Sequence, residues 1–180
     1  MAAPSSGKFV GMEPRRDPRD CPCHSGLRYH VCCRPLHRGE AVAARPEALM
    51  RSRYAAFALG LGTYLVETLA VSHPDRRRPP AELARELGAV HLTQRYMGLT
   101  IFPSRPDEVL FHARLFVQGR DRSFVELSSF VREADGWRYA TGELLPAAAL
   151  GALGALTRDG FLTHLKTAAA PAPPGPTPRR

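Results

Sequence analysis

All four cysteines of this chain lie within thirteen residues, "CPCHSGLRYHVCC", from Cys21 to Cys33. A segment that short has no apolar core of its own, so sulfur chemistry must supply what holds it. A bridge between the adjacent Cys32 and Cys33 is poor geometry: neighbouring Cα atoms lie about 3.8 Å apart, below the usual disulfide range. Bridges to Cys21 or Cys23 depend on the compartment. The start, "MAAPSSGKFVGMEPRRDPRD", lacks the apolar core of a signal peptide, and the weakly apolar run Pro146–Leu156 is too short to span a bilayer. A cytoplasmic location, where thiols stay reduced, is therefore the expectation, and metal ligation the better use of the cysteines. Zinc takes four soft donors in a tetrahedron, and a site closed by four protein ligands is structural. The pairs Cys21/Cys23 and Cys32/Cys33 are eight residues apart, with Pro22 stiffening the first pair and Ser25-Gly26 offering a turn. Arg28 and Arg34 are placed to offset the negative charge of four thiolates around a dication. His24 and His30 stay open as rival donors, although four cysteines already fill the shell. The Cys-x-x-Cys spacing of a redox site is absent.

The segment resembles the SEC-C motif, a small zinc-binding unit found at the end of SecA and in many bacterial proteins. That resemblance implies Cys21, Cys23, Cys32 and Cys33 as the ligands. It departs from the motif at His24, where glycine is usual, which implies an altered first turn.

The rest of the chain suits one ordinary domain beside this knuckle, with 180 residues, 44% hydrophobic and 23% charged. Its formal charge is +8, and all basic residues except Lys8 and Lys166 are arginine. Only Arg76-Arg77-Arg78 forms a dense run, so the charge reads as spread over solvated faces, with no specific nucleic-acid site.

Residues 1–19 are rich in proline and charge and read as a flexible arm, 20–35 as the knuckle, and Pro35–Arg45 as a linker. A helix is predicted from Pro46, with Met50, Tyr54, Phe57 and Leu61 on one stripe and Gly60 and Gly62 closing it. "TYLVETLAV" and "AELARELGA" read as two further helices. From Leu92 the pattern turns to strands: "RYMGLTIF", "EVLFHARLFVQ", "RSFVELSSFVRE" and "GWRYATGE", separated by turn residues. Three helices followed by an antiparallel meander predict an α+β domain over 46–145, with helices on one sheet face. Residues 146–180 read as an Ala/Pro-rich tail, disordered over 168–180.

"EALMRSRYAAFALGLGTYLVET", His73-Pro74, "MGLTIF", "FHARLF", "VELSSF" and "GWRYATG" together resemble the YchJ family of uncharacterised bacterial proteins. The resemblance covers about residues 20–145. It implies a cone of the nuclear transport factor two superfamily, in which three helices pack on a curved antiparallel sheet around an interior cavity. Two departures stand out: "TLAVS" precedes His73-Pro74 where Thr-Trp is frequent, and the C-terminal tail lacks the second cysteine motif that many members carry.

A hairpin turn centred on Gly119-Arg120 puts Phe111, Ala113 and Leu115 on the same side as Phe124, Glu126, Ser128 and Phe130. A second turn centred on Asp135-Gly136 adds Trp137 and Tyr139. Glu126 and Ser128 are conspicuous on this apolar face, because a buried carboxylate is costly unless paired. Arg53, at the edge of the helical stripe, is the expected ion-pair partner, with Ser128 and Tyr139 nearby; Arg51 falls on a more exposed flank. His112 falls on the opposite sheet face, and His73 is a further acid–base candidate. No phosphate loop, nucleophile elbow or second metal cluster is present, and no catalytic residue is assigned.

The expectation is therefore a cytoplasmic zinc protein whose knuckle is tethered to the cone and acts in interaction, with a protein or ribosomal partner, leaning away from an enzyme. The alternative is a small-molecule binder or enzyme using the cone pocket around Arg53 and Glu126.

Overall fold

The computed structural model describes residues 19–169. In chain order the elements are α1 (Arg34–His37), α2 (Pro46–Leu59), α3 (Gly62–Glu67), α4 (Pro80–Ala89), β1 (Gln94–Phe102), β2 (Glu108–Val117), β3 (Arg120–Asp121), β4 (Phe124–Glu133), β5 (Gly136–Pro146) and α5 (Arg158–Ala169). The long helix begins where the sequence signals it should. Pro46 occupies the first turn with Glu47 beside it, and Gly60 closes α2 in the left-handed region, its amide reaching the carbonyls of Ala56 and Phe57. The strands form one antiparallel sheet in the order β1-β2-β4-β5, with the short β3 returning along β2.

On the inner face, Leu99, Val109, Phe111, Ala113 and Phe130 pack against Leu49, Met50 and Tyr54 of α2. The α+β cone expected from the sequence is present, and both hairpin turns sit one residue earlier than expected. Gln118 and Gly119 take positive φ (49° and 77°), a pairing whose twist matches that of the flanking strands, and Phe116 pairs with Asp121 across them. Partners consequently slide by two: Phe111 faces Glu126 rather than Ser128. A shift of two leaves every side chain on its predicted face. The second turn joins Glu133 to Gly136 and sets Trp137 opposite Arg132 and Tyr139 opposite Phe130.

The outer face corrects the expectation that helices cover one side only. Leu110, Val125, Leu127 and Leu145 form a second core with Leu150 and Phe161, the last fully buried. Within the expected Ala/Pro-rich tail, residues 158–169 are helix α5, which takes in 168 and 169 of the stretch expected to be disordered. The physical reason lies in the strands: "VLF" at 109–111 is apolar on both parities, so each sheet face has to be covered. Phe161, Leu162 and Leu165 recur at helical spacing and supply the cover. Of the arm expected over 1–19, residues 1–18 lie outside the described residues, as does the end of the tail, 170–180. Among the described residues no helix is long and apolar enough to cross a membrane.

Candidate metal centre and interior cavity

The knuckle is drawn closed by its own backbone. The amide of Cys21 donates to the Leu27 carbonyl at 2.8 Å, and that of His24 to the Cys21 carbonyl at 3.1 Å. A short 3-10 turn at Tyr29–Val31 then delivers Cys32 and Cys33 back to the first pair. His24 sits at φ 57°, in the left-handed region. This accounts for the glycine usual there: a side chain at that φ costs on the order of 1–2 kcal/mol. The four Sγ atoms lie within 4.8 Å of one another, and among the described residues no His, Asp or Glu ligand atom joins the group. Cys23 and Cys32 are 3.6 Å apart and Cys32 and Cys33 3.8 Å. Metal–sulfur bonds of about 2.3 Å in a regular tetrahedron require edges of about 3.8 Å, so the donor set fits a four-coordinate cation. His30 is exposed, and the His24 ring turns edge-on to Tyr54 at 6.1 Å.

Crowded together, four thiols cannot all ionise by themselves. Contacts with the Cys21 and Cys33 thiols pull Cys23 strongly down, while sharing with Cys23 pushes Cys21 up to about 12. Contacts with Cys21 and Cys23, and burial, push Cys33 up as well. A bound dication reverses that frustration by stabilising every thiolate.

The knuckle is docked on the cone rather than tethered to it, which corrects the sequence reading. Cys21, Cys23 and Cys33 are almost completely buried and cluster with Ala55 of α2. Arg51, expected on an exposed flank, donates from Nη1 to the Cys23 carbonyl at 3.3 Å and from Nε to Glu47 at 2.8 Å. His37 Nε2 donates to the Ser52 carbonyl at 2.9 Å, which leaves Nδ1 to accept from the Tyr29 hydroxyl, also at 2.9 Å. Burial pushes the His37 pKa down, keeping the imidazole neutral in this bridge. The Pro35–Arg45 linker starts as α1 and buries Ala43 in the main core. Arg28 forms an ion pair with Asp20 at 3.7 Å at the knuckle's entry.

Between α2 and the sheet lies a cavity of about 400 Å³, and all four predicted pocket residues, Arg53, Glu126, Ser128 and Tyr139, line it. The expected direct ion pair is not formed. Arg53 instead donates from Nη1 to the Leu65 carbonyl at 2.7 Å and to Thr68 Oγ1 at 2.5 Å, and its guanidinium lies over the Tyr139 ring, 4.7 Å from the centroid. Glu126 Oε1 accepts from the Ser128 hydroxyl at 2.6 Å and from the Tyr139 hydroxyl at 3.1 Å. Tyr139 thus touches both charges, its ring face under Arg53 and its hydroxyl on Glu126. It is fixed there by the chain leaving α3: Tyr139 N–H donates to the Thr68 carbonyl at 2.9 Å, and Ala70 N–H to the Tyr139 carbonyl at 2.8 Å.

Burial lowers the Arg53 pKa to about 10, leaving it charged at neutral pH, with Tyr139, Tyr64 and Glu126 opposing the shift. Burial raises the Glu126 pKa, against which the Ser128 and Tyr139 hydroxyls and the Arg53 charge all act. Tyr139 is pushed up by burial and by the Glu126 charge, so it stays a neutral donor. His73 lines the same cavity, with its ring 5.7 Å from that of Tyr139 and its Nδ1 accepting from the Asp75 amide. Burial pushes its pKa down. His112 lies on the outer parity of β2, away from this group.

Gly142, not singled out from the sequence, makes the arrangement sterically feasible. A Cβ there would sit 2.3 Å from Glu126 Oε1 and 2.5 Å from the Tyr139 hydroxyl. A glycine inside a predicted strand was the available signal.

The comparisons with known proteins agree with this architecture. Residues 45–142 match the family described as "YchJ, middle NTF2-like domain". A UPF0225 protein of Deinococcus radiodurans is 43% identical over 122 residues, which are 67% of this chain and 86% of that protein. The UPF0225 protein YchJ of Shigella dysenteriae is 38% identical over 128 residues, 68% of this chain and 81% of its own. Among solved structures, a SEC-C motif containing protein from Rhodopseudomonas palustris superposes with a TM-score of 0.58 at 34% identity, covering 68% of this chain and 96% of that one. One from Psychrobacter arcticus, at 22% identity and a TM-score of 0.53, shares the fold over 67% of this chain and 80% of its own. With a SEC-C cysteine cluster able to hold a metal ion docked on an NTF2-like α+β cone, the chain belongs to the YchJ family.

Proposed function

We propose that the cysteine cluster is a structural zinc site and that the knuckle it holds is an interaction module acting in the cytoplasm, where it engages a protein or ribosomal partner. Zinc is favoured by the all-sulfur donor set and by sulfur–sulfur edges of tetrahedral length. Four thiolates leave no open position for water or substrate, so Cys21, Cys23, Cys32 and Cys33 hold the loop and a bound zinc does no chemistry of its own. The observation that carries the interaction reading is the knuckle's outward side: Leu27 and Val31 are 54% and 60% exposed directly beside the ligands. Exposed apolar side chains on a rigid, arginine-flanked loop suit a macromolecular contact better than catalysis.

Metal analysis of the purified chain is expected to give one zinc per molecule, lost in Cys32→Ser. Zinc retained by that variant would make His24 or His30 a replacement ligand and overturn the all-cysteine shell. Because the cysteines pack on Ala55, the same variant should also lower the melting temperature of the cone. A cone melt unchanged by loss of the metal would mean the docking contacts contribute nothing. For the interaction, crosslinking in cell extract should capture a protein or ribosome, and the double variant Leu27→Ser/Val31→Ser should lose it while keeping its zinc. Equal capture by both would end the interaction reading.

A further inference from the structure

We propose that the interior cavity binds a net-neutral small molecule with an apolar or aromatic body and a head that presents a hydrogen-bond acceptor beside a donor, as a primary carboxamide or the ammonium–carboxylate end of an amino acid does. The volume, about 400 Å³, suits one such molecule. Its walls are apolar, among them Phe57, Leu87, Val90, Phe111, Leu115 and Phe124. Against these walls stand two opposite charges whose hydrogen-bonding capacity is only half used. Glu126 spends Oε1 on two hydroxyls and, among the described residues, makes no hydrogen bond through Oε2. Arg53 spends Nη1 on Leu65 and Thr68 and, among the described residues, makes none through Nε or Nη2. A guanidinium carries five N–H donors, and a carboxylate oxygen accepts two bonds, so both groups have room for a guest.

The spacing distinguishes this arrangement from a structural ion pair. A pair serving stability alone would close directly, because an unpaired buried charge is costly. Here Arg53 and Glu126 form no direct pair and each engages Tyr139 instead, Arg53 over its ring and Glu126 at its hydroxyl, and the missing side chain at Gly142 leaves room for Glu126 and the Tyr139 hydroxyl beside it. The two buried charges sum to zero, and the remaining carboxylate on the lining, Asp75, is 44% exposed to solvent beside His73. A guest with a net charge would leave one unit uncompensated between apolar walls, whereas a neutral guest offers its acceptor to Arg53 and its donor to Glu126.

The test uses four probes with closely similar phenylalkyl bodies, titrated into the full chain and followed by calorimetry and by NMR shifts of the Phe111 and Tyr139 rings. They are 3-phenylpropanamide (neutral), phenylalanine (zwitterion), 3-phenylpropanoate (anion) and 2-phenylethylamine (cation). Either or both of the first two should bind at least about tenfold tighter than either charged probe, and which one does names the head. Absence of binding by both, or equal or tighter binding of the anion or cation, overturns the proposal. Glu126→Gln, nearly isosteric, leaves Arg53 uncompensated and should make the anion the preferred charged probe. Arg53→Met should reverse that preference. An unchanged preference in Glu126→Gln overturns the charge argument even if Arg53→Met fails to fold.

Discussion

On its outer face the sheet presents Leu110, Val125, Leu127 and Leu145, closed by Leu150 and Phe161. On its inner face the same strands present Phe111, Phe124 and Phe130, but also Glu126 and Ser128, over an open volume with Arg53 across it. Strand alternation makes this contrast possible, since adjacent residues of one strand serve opposite environments. The outer face follows the ordinary logic of a core, in which stability comes from filled apolar contact. The inner face gives up some of that contact and keeps charge in a place where charge is expensive. A fold needs only the first kind of surface; the second points to use.

Substitutions on each side should separate these roles. The largest effect belongs to the outer face. Phe161→Ala empties a fully buried site and should cost about 3–5 kcal/mol, read as a lower melting temperature with early proteolysis near 158–169. The inner cavity should be unmoved, with the Tyr139 ring resonances unchanged. If those resonances shift as much as the outer-face signals, the two faces do not act independently.

Arg53→Met comes next. It strips the Leu65 carbonyl and Thr68 hydroxyl of their donor, and about 1–3 kcal/mol should be lost in a thermal melt. Breaking a direct buried ion pair would cost roughly 3–5 kcal/mol. A loss in that higher range would mean that Glu126 depends on Arg53 more closely than their shared contact with Tyr139 implies. Glu126→Gln should cost less again, under about 1 kcal/mol, because an amide oxygen can still accept from Ser128 and Tyr139. A Glu126→Gln loss equal to that of Arg53→Met would contradict the separation of the two charges.

How far these features were legible in the sequence follows the same division. The inner face could be read because it rests on strict alternation: Phe124, Glu126, Ser128 and Phe130 fall on one side whichever even register the hairpin adopts. What alternation could not supply was distance. Spacing put Glu126 on the inner strand face and Arg53 at the edge of the helical stripe, and the family resemblance implied the cavity, but the way both meet Tyr139 depends on the backbone bonds that pin it to Thr68 and Ala70. The outer face was missed because α5 follows a stretch of alanine, glycine and proline whose local preference argues against structure; long-range burial of Phe161 overrides it. The docking of the knuckle was missed for a related reason. Reading α2 as a helix with one buried stripe assigned Arg51 to a more exposed flank, whereas α2 is covered on two sides and Arg51, Ser52 and Ala55 meet the knuckle.

The smallest predicted effect concerns how α5 is fastened to the outer face. Arg158 grips Glu108 of β2 with both Nε and Nη2, the latter at 2.9 Å. That contact holds the Glu108 carboxyl below its ordinary value of 4.5, the Arg158 hydrogen bond outweighing desolvation. The folded chain therefore releases this proton more readily than the unfolded one, and between the two pKa values the unfolded state binds more protons. The contribution is fully present above pH 4.5 and is lost as pH falls through the folded value. Glu108→Gln removes the titrating group, so its melting temperature should fall less steeply below pH 4.5 than that of the parent chain. At neutral pH the two should differ little, because an ion pair near the surface is screened by solvent and contributes little. Amide exchange across 158–169 locates the effect: acid should loosen α5 in the parent before the inner face opens. Parallel acid slopes for the two proteins would show that this clasp does not fasten the helix, leaving Phe161 and its apolar neighbours as its whole attachment.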